Sequence, residues 1–285
     1  MHRWTSLMLL LAASCGPRAE GDNQVAAEPA KVPAAAATVP VTLTRLDCGS
    51  VLVKDFSKTF SDRQLYPHGP KTLTDSCYLV THDGHQMIWD TGLSAELKGG
   101  KMDLGDMVVS LESTLPEQLA KVGLQPTDID VVGISHMHAD HTGQAAAFPQ
   151  AKLVIGKADF EQTAGKDDPF GPWRGEGKQV TLASSDVDIF GDGSVVALHL
   201  PGHTPDHLAL LVRLASGPVM LSGDLYHARE ARELRGVPGF NSDRNQTLDS
   251  MQRFEAMAKR LNAKVIIQHE AKDIGQLPAF PQAAK

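Results

Sequence analysis

The sequence predicts an α/β fold. Short apolar runs of strand length alternate with segments of helical period. Several of those runs end directly in loops that carry His or Asp, the usual place for a site. The composition is that of an ordinary globular chain, with 285 residues, 42% hydrophobic and 21% charged. That length buries a substantial core and suits one large domain or two small ones. The same figures exclude a mainly disordered chain, a collagen and a multi-span membrane protein. With a formal charge of −7 and no basic run of five, nucleic acid is not an expected partner. Three cysteines are too few for a disulfide scaffold, whereas twelve histidines exceed what the length leads one to expect.

Taken in order, residues 1–15 read as a secretory signal. A short apolar run, Trp4 to Ser14, follows His2 and Arg3 and ends in small residues. It is too short to cross a bilayer as a permanent helix. It closes on Ala12-Ala13-Ser14-Cys15-Gly16, which resembles a bacterial lipobox with Ala12 where a Leu is usual. Lipidated at Cys15, the chain would be anchored to the membrane; otherwise it is secreted. Residues 16–40, rich in Ala and Pro, read as a flexible tether. The folded domain is expected over 41–285. These features predict an exported, periplasmic, lipid-anchored protein.

Strands are expected at Val41–Leu46, Leu73–Thr81, His85–Trp89, Ile129–Ser135, Lys152–Ile155, Val195–Leu200, His207–Val212, Val219–Ser222 and Lys264–Gln268. Helices are expected at Leu115–Val122, Lys157–Gln162 and Gln246–Leu261; the last places Leu248, Met251, Phe254, Ala258 and Leu261 on one face. Cys48 and Cys77 fall on two candidate strands. They read as buried thiols, with a disulfide as the alternative in an oxidising compartment.

The strongest chemical signal is His136-Met-His138-Ala-Asp140-His141, directly after an apolar strand. His136 and His138 alternate with Met137 and so project to one side of an extended segment. Neutral imidazoles and a carboxylate suit zinc or another first-row divalent ion. Three further strand ends present donors: His203 after Leu200-Pro-Gly, Asp224 after Leu221-Ser-Gly, and His269 after Ile267-Gln. Five His and two Asp make the inventory of a two-metal centre.

These motifs resemble the metallo-β-lactamase superfamily, whose fold is an αββα sandwich; the likeness runs from about Val41 to the end. The resemblance implies that His136, His138 and His203 hold one metal. It implies that Asp140, His141 and His269 hold the other, and that Asp224 bridges them. Trp89-Asp90-Thr91-Gly92 is similar to the superfamily's early Asp-Thr-Gly turn, where Asp90 would orient a ligand histidine. Within the superfamily, His138 stands where a flavodiiron-like site needs an acid. Too little chain follows His269 for a glyoxalase II-like C-terminal region. True metallo-β-lactamases lack the bridging carboxylate. RNA-processing members fit neither the acidic balance nor an exported location.

The segments Leu73–Leu79, Ile88–Leu93, Gly223–His227, Val237–Phe240 with Gln246–Arg253, and Ile267–Glu270 resemble N-acyl homoserine lactonases. The resemblance implies two divalent metal ions, zinc first, with iron, manganese or cobalt as alternatives. A hydroxide bridging them would open the lactone ring of an acyl lactone, with Asp140 returning a proton to the leaving oxygen. Tyr226 or His227 would donate to the developing oxyanion. The family's Tyr lies three residues after the bridging Asp; here that position is His227, and Tyr226 sits one earlier. A His at this offset also occurs in organophosphate hydrolase-like relatives. The alternatives are therefore a same-scaffold hydrolase of phosphotriesters, β-lactams or other esters, and a non-enzymatic metal-binding lipoprotein. His207 reads equally as an orienting residue or a satisfied strand-start histidine. His68, His82 and His85 read as solvated turn residues. Phe56, Phe60 and Phe240 are candidates for an acyl groove, with core packing the commoner role. The expected partner is a small molecule, with no nucleic acid and no membrane contact beyond the anchor; oligomeric state, a homodimer included, stays open.

Overall fold

A computed structural model describes residues 40–285. The expected signal segment, Cys15 and the tether up to residue 39 lie outside the described residues. Alternation of apolar residues produces two mixed sheets. The elements of the first half are β1 (Val41–Val53), α1 (Phe56–Phe60), β2 (Lys71–His82), β3 (His85–Trp89), β4 (Gly100–Asp103), β5 (Met107–Leu111), α2 (Leu115–Lys121), β6 (Val131–Gly133), α3 (Ala139–Thr142), β7 (Lys152–Gly156), α4 (Lys157–Gln162) and β8 (Val180–Ala183). The second half holds β9 (Val187–Asp188), β10 (Val195–His199), β11 (Leu208–Leu214), β12 (Gly217–Leu221), α5 (Arg229–Leu234), α6 (Arg244–Leu261), β13 (Lys264–Ile266) and α7 (Ala271–Ile274).

One sheet runs β4-β5-β1-β2-β3-β6-β7-β8 and the other β13-β12-β11-β10-β9. Their facing sides bury one core, in which Tyr78, Val80 and Trp89 of the first sheet meet Val195, Leu208, Leu210 and Leu221 of the second. Burial of such side chains is the main stabilising term of the sandwich. A second core lies on the far side of the first sheet, where Leu115 and Leu119 of α2 join Leu79, Val132, Leu153 and Phe148. The long helix α6 starts at Asp243, whose side chain caps the Gln246 N–H, and buries Met251, Phe254, Met257 and Ala258. Its Ser250 and Arg253 bond the carbonyls of Pro201 and His199, which fixes it at the end of β10. Helices therefore flank both sheets, as the αββα expectation required.

Every expected strand and helix is present; His85–Trp89 and Lys157–Gln162 keep their expected ends and the others shift. β1 runs on to Val53 because it also pairs with β5. The short strands β4, β5, β8 and β9 fall outside the expected set; β4 is exposed throughout and carries no alternating pattern. The reading of Cys48 and Cys77 as thiols is corrected. They form a disulfide with their Cα atoms 5.7 Å apart. Cys48 occupies the bulge between Asp47 and Gly49, where the β1–β2 register shifts.

Candidate metal centre

The strand ends deliver the donors to one place. β6 ends at Gly133, and the chain leads through His136 and His138 into α3, which holds Asp140 and His141. From the second sheet, β10, β12 and β13 run into His203, Asp224 and His269. Two groups result: His136, His138, His203 and Asp224, and beside them Asp140, His141 and His269. All seven expected residues are brought together.

The spacing fits divalent cations. His136 Nε2 lies 2.9 Å from His138 Nδ1, and His203 Nε2 lies 3.2 and 3.1 Å from those two atoms. Nitrogens bound tetrahedrally to zinc at about 2.0–2.1 Å are about 3.3 Å apart. Asp224 faces both groups. Its Oδ1 is 2.9 Å from His269 Nε2 and 3.2 Å from His141 Nε2. Its Oδ2 is 3.5 Å from both His136 Nε2 and His203 Nε2. Despite these short distances, Oδ1 is buried and accepts no hydrogen bond of normal geometry. A buried carboxylate oxygen flanked by imidazole nitrogens that do not donate to it is what a bridging ligand presents.

The outer nitrogens are fixed. His141 Nδ1 faces Asp90 Oδ2 at 3.0 Å, and His269 Nδ1 donates to the Thr74 carbonyl at 2.9 Å. His203 Nδ1 donates to Asn241 Oδ1 at 2.8 Å, and His136 Nδ1 meets Ser135 Oγ at 3.0 Å. Such contacts set ring orientation and turn each Nε2 lone pair inward. Asp90 itself adopts left-handed backbone, φ 57°, a conformation Asp tolerates better than most residues. Its carboxylate also accepts from the Ser135 N–H at 2.6 Å and from Gln268 Nε2 at 2.8 Å. His207 takes the orienting role: Nε2 accepts from the Asp224 N–H at 3.0 Å while Nδ1 donates to the Leu200 carbonyl.

The electrostatics of His136, His203 and Asp224 agree with a donor set, whereas burial of His141 and His269 is outweighed by the carboxylate of Asp224, which pushes both up. Burial pushes His136 and His203 well below the usual imidazole range, so both are neutral and free to ligate. Burial works against ionisation of Asp224, but His269, His227 and His141 around it hold the carboxyl well below its ordinary value. Burial acts in the same direction on Asp75, behind the site, where Asp140 reinforces it and the carboxyl is held well above its ordinary value.

A cavity of about 290 Å³ opens onto the donors, walled by Val51, Phe60, Leu73, Met107 and Phe240 and floored by His138, Asp140, Asp224, His227 and His269. Of the three candidate aromatics, Phe60 and Phe240 line it; Phe56 stands one layer back, stacked on Phe60 and Tyr66. His227 is in place. Its Nε2 is 3.0 Å from Asp224 Oδ2, and its ring lies parallel to His269 and against Phe60. Tyr226 is not in place, which corrects the expectation of a donor there. Alternation along the extended chain turns it away from His227, and its hydroxyl donates to Glu255 Oε1 at 3.0 Å. His68 and His85 are exposed as expected. His82 is not: it is buried, 2.8 Å from Asp192 and stacked on Phe190 at 4.3 Å.

Sequence reasoning missed Ser135, Asn241 and Gln268. Gln268 left a trace, as a polar residue ending the apolar run Val265-Ile266-Ile267 beside a ligand. Asn241 left none, because it reaches His203 from 38 residues away.

Comparison with known proteins places this geometry. The family model described as the metallo-beta-lactamase superfamily matches residues 72–269. An N-acyl homoserine lactonase of Azorhizobium caulinodans is 30% identical over 229 residues, 72% of this chain and 84% of that protein. A Bacillus thuringiensis crystal structure with N-decanoyl-L-homoserine at its active site superposes with a TM-score of 0.73 at 22% identity, covering 87% of this chain and 100% of that one. A dizinc quorum-quenching lactonase structure has a TM-score of 0.61 at 17% identity, with 85% and 89% covered.

Proposed function

The chain belongs to the metallo-beta-lactamase superfamily, and from that premise we propose that it is a dinuclear, metal-dependent hydrolase that opens the ring of N-acyl homoserine lactones. The observation that carries the reading is the convergence of seven donors, one a carboxylate shared by both groups, at the floor of an apolar-walled cavity. A binding protein needs no shared acid and no such cavity. The name borne by the Azorhizobium relative supports the substrate class.

Two divalent cations, zinc first, would supply Lewis acidity for the carbonyl and make water acidic enough to attack near neutral pH. The chain's own groups do the rest. Phe60, Phe240, Val51, Leu73 and Met107 bind the acyl chain and exclude water from it. His227, on the cavity floor, turns a ring N–H from Asp224 to the oxyanion as the tetrahedral carbon forms. Asp140, whose side chain is 29% exposed and faces the cavity, takes the proton given up by the attacking water and passes it to the ring oxygen as the carbon–oxygen bond breaks. Asp90 and His207 hold His141 and Asp224 still throughout.

The test is proton release by the zinc-loaded protein on lactones of different acyl length, with paraoxon and a cephalosporin alongside. Rapid lactone opening that Asp224→Ala abolishes supports the reading. Turnover confined to paraoxon or the cephalosporin overturns the substrate and leaves the hydrolase.

We also propose that the protein is exported and lipid-anchored in the periplasm. The signal-like residues 1–15 support this, as does the Cys48–Cys77 disulfide, which suits an oxidising compartment. Metabolic labelling with a tritiated fatty acid tests it: incorporation lost in Cys15→Ala supports anchoring, and an unlabelled exported protein refutes it.

A further inference from the structure

Asp75 is a carboxylate that none of the steps above uses. It is fully buried, and among the described residues it alone has both carboxylate oxygens buried without a hydrogen-bond partner. An unpaired buried acid is costly, so native proteins keep one only where something compensates it.

The chain ties Asp75 to the metal centre. The preceding residue, Thr74, exchanges two bonds with His269: its N–H donates to the His269 carbonyl at 3.1 Å, and its carbonyl accepts from His269 Nδ1 at 2.9 Å. Strand alternation puts Asp75 on the face of β2 that holds Leu73, which lines the cavity with Asp140 and His269. Its charged neighbours are Asp140, His141, His269 and Asp90. Asp75 therefore stands behind the second donor group and belongs to neither group as a ligand.

We propose that Asp75 is a positioning residue for the cation that Asp140, His141 and His269 would hold, supplying negative charge behind that group and no ligand atom to it. In the metal-free chain burial keeps the Asp75 carboxyl protonated, and a divalent cation in front of it would favour the carboxylate and so compensate its burial. Outer residues of this kind typically change metal affinity by about 10–100-fold.

The inference rests on the dinuclear reading, and one titration separates the two. The full-length protein is stripped of metal and titrated with zinc against a chromophoric chelator, for the wild type, Asp75→Asn and Asp75→Leu. All three are expected to take the first equivalent alike, with the second about 10–100-fold weaker in both variants. Without metal, Asp75→Leu is expected to melt no lower than the wild type, since it removes the orphaned acid; a folded metal-free state also shows that weak binding is not misfolding. Wild-type affinity for both equivalents in Asp75→Asn overturns the proposal and makes Asp75 a neutral buried acid, a role Asn can fill. A wild-type chain that takes fewer than two equivalents overturns the dinuclear reading, and this inference with it.

Discussion

Tyr226 and His227 are adjacent in sequence and opposite in expected effect, which makes them the most discriminating pair to change. In Tyr226→Phe the ring stays packed edge-on against Phe254 at 5.9 Å, so no cavity forms. What is lost is one O–H bond to Glu255, whose carboxylate keeps two bonds from Arg232 at 2.8 Å. Glu255 is thus not orphaned, and the cost is that of a single hydrogen bond, about 1 kcal/mol. For a domain of this size that lowers Tm by about 2–4 °C. Lactone turnover should hold within about twofold, because the hydroxyl points away from the cavity. In His227→Phe the stacking on His269 and Phe60 survives while the N–H and its 3.0 Å contact with Asp224 Oδ2 are deleted. Loss of an oxyanion donor costs about 10²–10³ in kcat. Initial rates of lactone opening and melting curves, measured on both variants, decide the matter. A hundredfold loss of kcat in Tyr226→Phe, with Tm intact, would refute the assignment of the two side chains.

Three further outcomes follow from the same structure. The Cys48–Cys77 disulfide closes a separation of 29 residues, for which chain entropy gives about 3–4 kcal/mol; Cys48→Ser with Cys77→Ser should lower Tm by roughly 10 °C, and an unchanged melt would sink that account. A Cβ at Gly143 would lie 2.3–2.6 Å from the backbone of Gly92, Leu93 and Ser94. Gly143→Ala should therefore cost about 3 kcal/mol and displace α3 with Asp140 and His141, read as zinc content falling below two per chain. Finally, burial opposes the charge of Asp192, but bonds from Ser194 and His82 hold its pKa at about 2, against 3.8 unfolded. Its stabilisation is complete above about pH 4 and lost as pH falls through about 2. The gap in urea midpoint between the wild type and Asp192→Asn should be widest at neutral pH and close at the acid end, and a constant gap would count against the pairing.

Much of the fold and nearly all of the donor set could be read from the chain. Runs such as Val195–Leu200 are apolar because both their faces are covered, and that pattern survives in sequence. The donors were legible because each follows such a run, so that locating the strand end located the ligand. What escaped was set by contacts distant in sequence. β4 is solvent-exposed and has no apolar code. His82 reads as a turn residue in Thr-His-Asp-Gly, and the residues that cover it, Phe190 and Asp192, lie over a hundred residues on. Tyr226 was placed by its nearness to Asp224, yet one step along an extended chain reverses the side chain, and Glu255 of α6 claims it. The Cys48–Cys77 pairing depends on a bulge that sequence does not announce.

The donors are divided between the two sheets. His136, His138, Asp140 and His141 leave the first, and His203, Asp224 and His269 leave the second, so each group draws on both. A nascent or truncated chain that stops before Val195 owns the whole His136–His141 motif and still lacks a complete group. A complete group therefore needs both sheets, so ion capture would report the closure of one sheet on the other. Once captured, the ions rivet the halves: a ligand present at a thousand times its Kd adds about 4 kcal/mol to the folded state. Chelation should expose the chain to proteases at the seam between the sheets long before it unfolds either sheet alone.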